Sequence, residues 1–190
     1  MNTRFVLFCF CFSLLLMSGK ITLAKGEWMR VDSLANAGNF AEALHESLNQ
    51  LERIEQSGSC AEIAFACLTV GRQHYYLKQK EKAISWFKKS NVISLDCQTD
   101  SITGKNFRNI GAIYWEFGNS DSAAYYLEMA QPYLRKAGQP KELSTLFAVL
   151  FELHFRSFKD AKAGQRMLDS CRKYSFILCC ARTKVSMPFF

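Results

Sequence analysis

The sequence has 190 residues, 24 basic and 17 acidic side chains, and a formal net charge of +7. Its basic residues are scattered in pairs such as Lys88 and Lys89, without the dense stripe that binding to a phosphate backbone requires, so we exclude nucleic acid as the expected partner. The length suits a single domain that buries a real core.

Residues 1–24 have the pattern of a signal peptide. Arg4 gives a positive start, and residues 5–17 form an apolar run that ends at the polar break 18–20. That run is shorter than the roughly 20 residues of a membrane-spanning helix, and Ala24 is a small residue at which cleavage can occur. We therefore expect a periplasmic or secreted protein with no membrane span after signal cleavage. An uncleaved anchor or a buried first helix remains the alternative.

A turn motif recurs every 40 residues after the expected leader. Apolar residues at helical spacing lie on both sides of each turn, which predicts four pairs of helices. The turn positions are Gly38, Lys78, Gly118 and Phe158. Five residues beyond each turn position lies an alanine, small enough to let two helix backbones approach closely. These alanines are Ala43, Ala83, Ala123 and Ala163.

The third repeat carries the most complete motif: Phe107, Ile110, Gly111, Tyr114, Gly118, Ala123, Leu127 and Ala130. On these residues the chain resembles the tetratricopeptide repeat (TPR) family. The resemblance implies an all-α, right-handed superhelical solenoid of about four helical hairpins. The expected domain covers residues 25–176, with repeats at about 25–58, 64–97, 104–137 and 144–176. The usual family period is about 34 residues, so a 40-residue period implies longer helices or longer connections.

Residues 177–190 show no helical period, and we expect an irregular C-terminal tail there.

In the family, the first helix of each hairpin lines a concave groove. The resemblance places ten residues of this chain on that groove: Arg72, Tyr75, Tyr76, Lys105, Arg108, Trp115, Glu116, Glu152, Phe155 and Arg156. Three of them, Tyr75, Trp115 and Phe155, are 40 residues apart and would form an aromatic ladder flanked by basic groups, which suits an extended peptide. The alternative is that these rings only pack between neighbouring helices.

No pattern in the sequence predicts catalysis, a cofactor or a metal site. Cys67 and His74 are seven residues apart on one helix, which separates them by roughly 10 Å, too far for a nucleophile and its base or for two ligands of one metal. Glycine-rich phosphate loops and zinc-protease spacings do not occur. We therefore expect no catalytic residue, no metal ligand and no cofactor.

Six cysteines follow the expected leader: Cys60, Cys67, Cys97, Cys171, Cys179 and Cys180. Export would place them where disulfides persist. Cys60 precedes the first helix of the second repeat and Cys97 follows its second helix, and an antiparallel pair brings those two ends together, so these two are the disulfide candidate. Cys67 is expected to be a buried free thiol. The alternative is that all six cysteines stay reduced.

The expected function is that of a non-catalytic scaffold in the cell envelope or outside the cell, with a protein or peptide partner in the groove. Two alternatives remain open. The chain could be a truncated periplasmic sensor region of a TPR-containing histidine kinase or DNA-binding regulator. It could also be a self-associating structural repeat protein, and so a homo-oligomer.

Overall fold

The computed structural model describes the backbone of residues 28–183 and the side chains of residues 28–175. The expected signal peptide and its cleavage site lie outside the described residues. Eight α-helices and one π-helical turn account for the regular structure of residues 28–183, and no strand occurs there. The helices are α1 (28–36), α2 (Phe40–Ser57), α3 (Cys60–Tyr76), α4 (Lys80–Asp96), α5 (Asp100–Glu116), α6 (Ser120–Lys136), α7 (Pro140–Glu152) and α8 (Ala161–Thr183).

Consecutive helices pack against each other along the chain, from α2 on α3 through to α7 on α8. Contacts also join α3 to α5 and α5 to α7, so the odd-numbered helices form a layer of their own. The prediction of an all-helical chain with consecutively packed helices is confirmed for residues 28–183. None of the helices in this part of the chain is long and apolar enough to span a membrane.

Long helices, rather than long connections, produce the 40-residue period. The four helices from α3 to α6 have 17 residues each, and three-residue turns separate them. Two such helices with their two turns make up one period.

Each turn except the one between α2 and α3 contains one residue in the left-handed backbone region. Gly118 has a φ of 76° and Lys78 has a φ of 61°. The next N–H bonds back to a carbonyl five residues earlier, as when Gln79 donates to the His74 oxygen over 2.9 Å. This arrangement satisfies the carbonyls left unpaired at the end of a helix. It sends the chain directly into the next helix.

The fourth hairpin departs from the predicted spacing by one residue. Its left-handed residue is Lys159, where the 40-residue alignment placed Phe158. The cause is that α7 continues as a π-helical turn, Leu153–Ser157, and a π-helical turn accommodates one extra residue. The alignment of Phe158 with Gly118 is therefore wrong.

The same shift changes which small residue faces α7. In α6, the N–H of Ala123 bonds to the Asn119 carbonyl, and in α8 the equivalent bond runs from Gly164 to the Asp160 carbonyl over 2.9 Å. Gly164 therefore takes the position that Ala163 was predicted to fill. Ala163 is nonetheless buried, with 4% of its surface exposed.

The hydrophobic core is divided into three clusters along the stack. The first centres on Leu51 and Val70, the second on Phe87 and Ile110, and the third on residues of α5 to α7 together with Leu153. Close helix packing requires glycine in α5, because a Cβ on Gly111 would lie 2.7 Å from the Leu127 Cγ. The glycine at this position of the third repeat thus has a direct steric reason.

A buried polar seam runs between α4 and α5. The hydroxyl of Ser90 donates to the Ala64 carbonyl over 2.7 Å, and the amide of Asn106 donates to that hydroxyl over 2.8 Å. The hydroxyls of Ser94 and Thr103 are 2.8 Å apart. All four side chains are fully or almost fully buried, so hydrogen bonds replace apolar packing along this part of the interface.

Helix α8 extends to Thr183, seven residues into the segment 177–190 that was predicted to be irregular. That prediction relied on the absence of an apolar period. A helix can continue without one where residues such as Leu, Ala and Arg favour helical backbone. Residues 184–190 lie outside the described part of the chain.

Candidate functional site

A cavity of about 240 Å³ opens between α3 and α5 on the layer of odd-numbered helices. We call it the α3–α5 cavity. Its polar side chains and tyrosines are Arg72, Tyr75 and Tyr76 from α3 with Arg108 and Asn109 from α5, and Phe87 of α4 also lines it. Residues three and four positions apart share one face of a helix, which is why α3 presents its three side chains together.

The aromatic walls of the cavity are held in place by other rings. The Tyr76 ring stacks on Phe40, with centroids 5.0 Å apart, and its centroid is 5.7 Å from that of Tyr75. Both tyrosines are half-buried. A ligand would therefore meet walls that are already ordered, which reduces the entropy lost on binding.

The Tyr75 hydroxyl belongs to a hydrogen-bonded group at the end of α5. It donates to Glu116, whose other oxygen lies 2.8 Å from the Lys80 ammonium. Burial, and then the bond to Glu116, raises the pKa of Tyr75 to about 12. Burial alone would raise the pKa of Glu116, but the hydrogen bonds from Lys80 and Tyr75 together bring that pKa below its usual value. Near neutral pH the tyrosine is therefore protonated and the glutamate charged.

Arg108 is held by a carboxylate from the next odd-numbered helix. Its guanidinium bonds to Glu142 of α7 and donates to the Asn109 side-chain oxygen over 2.9 Å. The Lys105 ammonium is 3.9 Å from the same Glu142 carboxylate. Two basic groups of α5 are thus tied to one acidic group of α7.

Arg72 is held much less firmly. Among the side chains of residues 28–175, its closest ion-pair contact is 4.0 Å, to the Asp32 carboxylate of α1, and the Asp32 side chain is 60% exposed. An exposed pair at that distance contributes little free energy. The Arg72 guanidinium is therefore the cation of the cavity that is open to a ligand.

The other sequence-predicted groove residues lie elsewhere on this layer. Trp115 packs against the third hydrophobic cluster and, with Glu116, lines a separate open cavity near Ser157. Phe155 lies in the π-helical turn, is 54% exposed and stacks on Phe151 with centroids 5.6 Å apart.

Glu152 and Arg156 pair with each other, one helical turn apart. The ten predicted residues therefore do not form one continuous site. The structure brings Tyr75 together with Arg72, Tyr76 and Arg108, but not with Trp115 or Phe155 in one cavity.

Asn109 and Glu142 take part in the site but were absent from the sequence-based set, as were the apolar lining residues Phe87, Ala112 and Ile113. Asn109 follows Arg108 directly, and its place in the cavity could have been inferred from helical spacing. Glu142 is 34 residues beyond Arg108, and only the stacking of α5 on α7 reveals the pair.

The structure joins Cys60 and Cys97 in a disulfide, with Cα atoms 6.0 Å apart. The bond connects the start of α3 to the end of α4, at the open end of the second hairpin. Cys67 is a free thiol with no exposed surface, and its burial raises its pKa. Cys171 is free and half-buried.

Among the residues that the structure describes, no cluster of three or more His, Cys, Asp or Glu side chains could hold a metal ion. A scan of known family models finds none that matches the chain. A search of curated proteins finds no match either.

Proposed function

We propose that this chain is an exported, non-catalytic scaffold of the tetratricopeptide type that binds an extended segment of another protein across its odd-numbered helices. The observation that carries the proposal is the α3–α5 cavity, where the open guanidinium of Arg72 lies beside the ordered rings of Tyr75 and Tyr76. The binding activity, and not a chemical reaction, is the function we assign.

The chemistry of the cavity favours a peptide that combines a carboxylate with an apolar or aromatic side chain. A guanidinium presents donors in a planar fork that matches a carboxylate. Tyrosine rings supply large contact areas and lose little conformational entropy. A ligand with only one of these two features would leave half of the lining unused.

The packing of the helices supports the solenoid part of the proposal. Contacts of α3 with α5 and of α5 with α7 are those expected of the inner layer of a curved stack. The two middle hairpins, α3 with α4 and α5 with α6, repeat the same turn and the same helix length of 17 residues. We propose a right-handed superhelix with the odd-numbered helices on its concave side.

The test is a selection of random 12-residue peptides displayed on phage, with the full chain as the target. Affinities of the selected peptides are then measured by fluorescence polarisation. We expect Arg72→Gln and Tyr76→Ala each to weaken binding roughly tenfold or more, as residues at the centre of an interface do. The matched control is Lys88→Gln, which removes the same charge from an exposed position of α4.

Loss of affinity in both cavity variants, with the control unchanged, would support the proposal. Peptides that bind all four proteins equally would place the binding surface elsewhere and refute the cavity as the site. A selection that yields no specific peptide would refute the peptide-binding function.

Export is part of the proposal and has its own test. The charged start, the short apolar run and Ala24 predict a mature chain that begins near Lys25. Intact-mass spectrometry of protein from its native host should give that mass. An intact Met1 on cytoplasmic protein would contradict it.

A further inference from the structure

The two guanidinium groups of the α3–α5 cavity differ in how strongly they are already engaged. Arg108 has an 18% exposed side chain, bonds to Glu142 and donates to Asn109. Arg72 is 36% exposed and lies 4.0 Å from an exposed Asp32. The cavity therefore holds one occupied and one open position for a carboxylate.

The Glu142 carboxylate already occupies the position at Arg108 that a ligand carboxylate would need. Displacing it would leave Glu142, itself 19% exposed, without its guanidinium partner in a partly desolvated place. The free energy lost when the pair between Arg108 and Glu142 is broken offsets the free energy gained when a ligand carboxylate binds Arg108. A second carboxylate on a ligand would therefore add little affinity at this position.

Displacing Asp32 from Arg72 has no such cost, because water can solvate a side chain that is 60% exposed. A ligand carboxylate at Arg72 also lies beside the rings of Tyr75 and Tyr76. The open position is thus the one next to the aromatic walls.

We propose that Glu142 acts as an internal carboxylate that fills the Arg108 position, so that the cavity selects ligands with one carboxylate and not two. This inference rests on the proposed peptide-binding function and names the feature that sets its specificity. Glu142 is a positioning residue that restrains Arg108 and does not itself contact the ligand.

The test repeats the phage selection with the full-length wild type, Glu142→Gln and a control variant, Glu128→Gln. Glu128 is an exposed residue of α6, so its substitution changes the net charge equally without affecting the pair. Glu142→Asp serves as a second variant, because it keeps the charge but shortens the side chain that reaches Arg108. Thermal unfolding establishes that each protein is folded.

We expect the wild type and Glu128→Gln to enrich peptides with one acidic position, and Glu142→Gln to enrich peptides with two. Replacing the second acidic residue by Asn should weaken binding to Glu142→Gln roughly tenfold, the worth of one charge-assisted hydrogen bond. The same replacement should change wild-type affinity less than about twofold. Glu142→Asp should enrich peptides with two acidic positions to a smaller extent. The double variant Glu142→Gln with Arg108→Gln should lose the preference for the second acidic position.

A wild-type protein that selects two acidic positions would overturn the inference while leaving the proposed function standing. The inference would also be overturned if Glu142→Gln and Glu142→Asp fold but keep the wild-type preference for peptides with one acidic position. The pair between Arg108 and Glu142 would then only stabilise the packing of α5 on α7. A selection that enriches no peptide on any of the proteins would instead overturn the proposed function, and the inference with it.

Discussion

Lys78 and Gly118 adopt the same left-handed backbone conformation, 40 residues apart, with φ angles of 61° and 76°. A lysine in this region has its Cβ close to the following carbonyl, which costs about 1 to 2 kcal/mol. Glycine avoids that cost but loses more backbone entropy on folding. The turn after α3 therefore carries a strain that the turn after α5 does not.

Replacing Lys78 by Gly should raise the free energy of unfolding by about 0.5 to 1 kcal/mol, the difference between the relieved strain and the added entropy cost. Chemical denaturation measures the change. Lys88→Gly is the matched control, because the same substitution in the middle of α4 should lower stability by about 1 kcal/mol. Equal losses for both variants would show that the turn after α3 is not strained.

A methyl group added at Gly111 should destabilise the third hairpin. The new Cβ would lie 2.7 Å from the Leu127 Cγ and 3.1 Å from the Ala123 carbonyl oxygen, so α5 and α6 would have to separate. We expect Gly111→Ala to lower the free energy of unfolding by about 1 to 3 kcal/mol, measured by denaturant titration.

Gly164→Ala is the comparison within the fourth hairpin. A Cβ there would be 3.5 Å from its nearest neighbour, the Phe155 Cβ, which is an ordinary contact. Because alanine favours a helix over glycine by up to about 1 kcal/mol, this variant should be neutral or more stable. A loss as large as that of Gly111→Ala would contradict the packing described for α7 and α8.

The disulfide should contribute strongly to stability. Cys60 and Cys97 are 37 residues apart in sequence, and closing a loop of that length is worth about 3 to 4 kcal/mol on the chain-entropy model. The free energy of unfolding of the double variant, Cys60→Ser with Cys97→Ser, should be lower than that of the wild type by that amount. Cys67→Ala, which leaves the bond intact, is the control. Non-reducing peptide mapping of the native protein should recover the two cysteines in one linked peptide; alkylation of both as free thiols would exclude the bond.

The group formed by Tyr75, Lys80 and Glu116 predicts a dependence of stability on pH. The pKa of Glu116 is lowered from 4.5 in the folded chain, so its stabilising contribution is full above that value and is lost as the pH falls through the folded-state pKa. The difference in unfolding free energy between the wild type and Glu116→Gln should therefore shrink as the pH is lowered from neutral through 4.5 to below the folded-state pKa. Glu128→Gln, from the exposed face of α6, supplies the comparison. A difference that stays constant over this range would argue against the carboxylate interaction.

The sequence carried enough information for the helices and most of their order. Residues such as Gly111 and Ala123 recur at fixed spacing because close packing of each helical pair allows little else, and the structure places both of them against a neighbouring helix. The one-residue shift at Lys159 could not be predicted in this way. Its origin is the π-helical turn, which depends on how residues 153–157 pack and has no periodic signature.

The site was predictable only in part for a similar reason. Helical spacing places Arg72, Tyr75 and Tyr76 on one face of α3. Which partner each side chain takes depends on distances between helices, and the pairing of Arg108 with Glu142 follows from the stacking of α5 on α7. Trp115 has the same repeat position as Tyr75, and each ring packs against one hydrophobic cluster, but the two rings line different cavities.

The polar seam and the disulfide occupy the same end of the second hairpin, and together they determine where this part of the molecule would begin to unfold. Apolar packing between α4 and α5 is concentrated near Phe87 and Ile110, while buried hydrogen bonds of Ser90 and Asn106 join the helices towards the other end. In a stacked array, coupling between neighbouring units depends on the free energy of their interface. After reduction of the disulfide, this weakly coupled end of the hairpin would therefore unfold locally first. Its amide protons would exchange with solvent well before those at the apolar end.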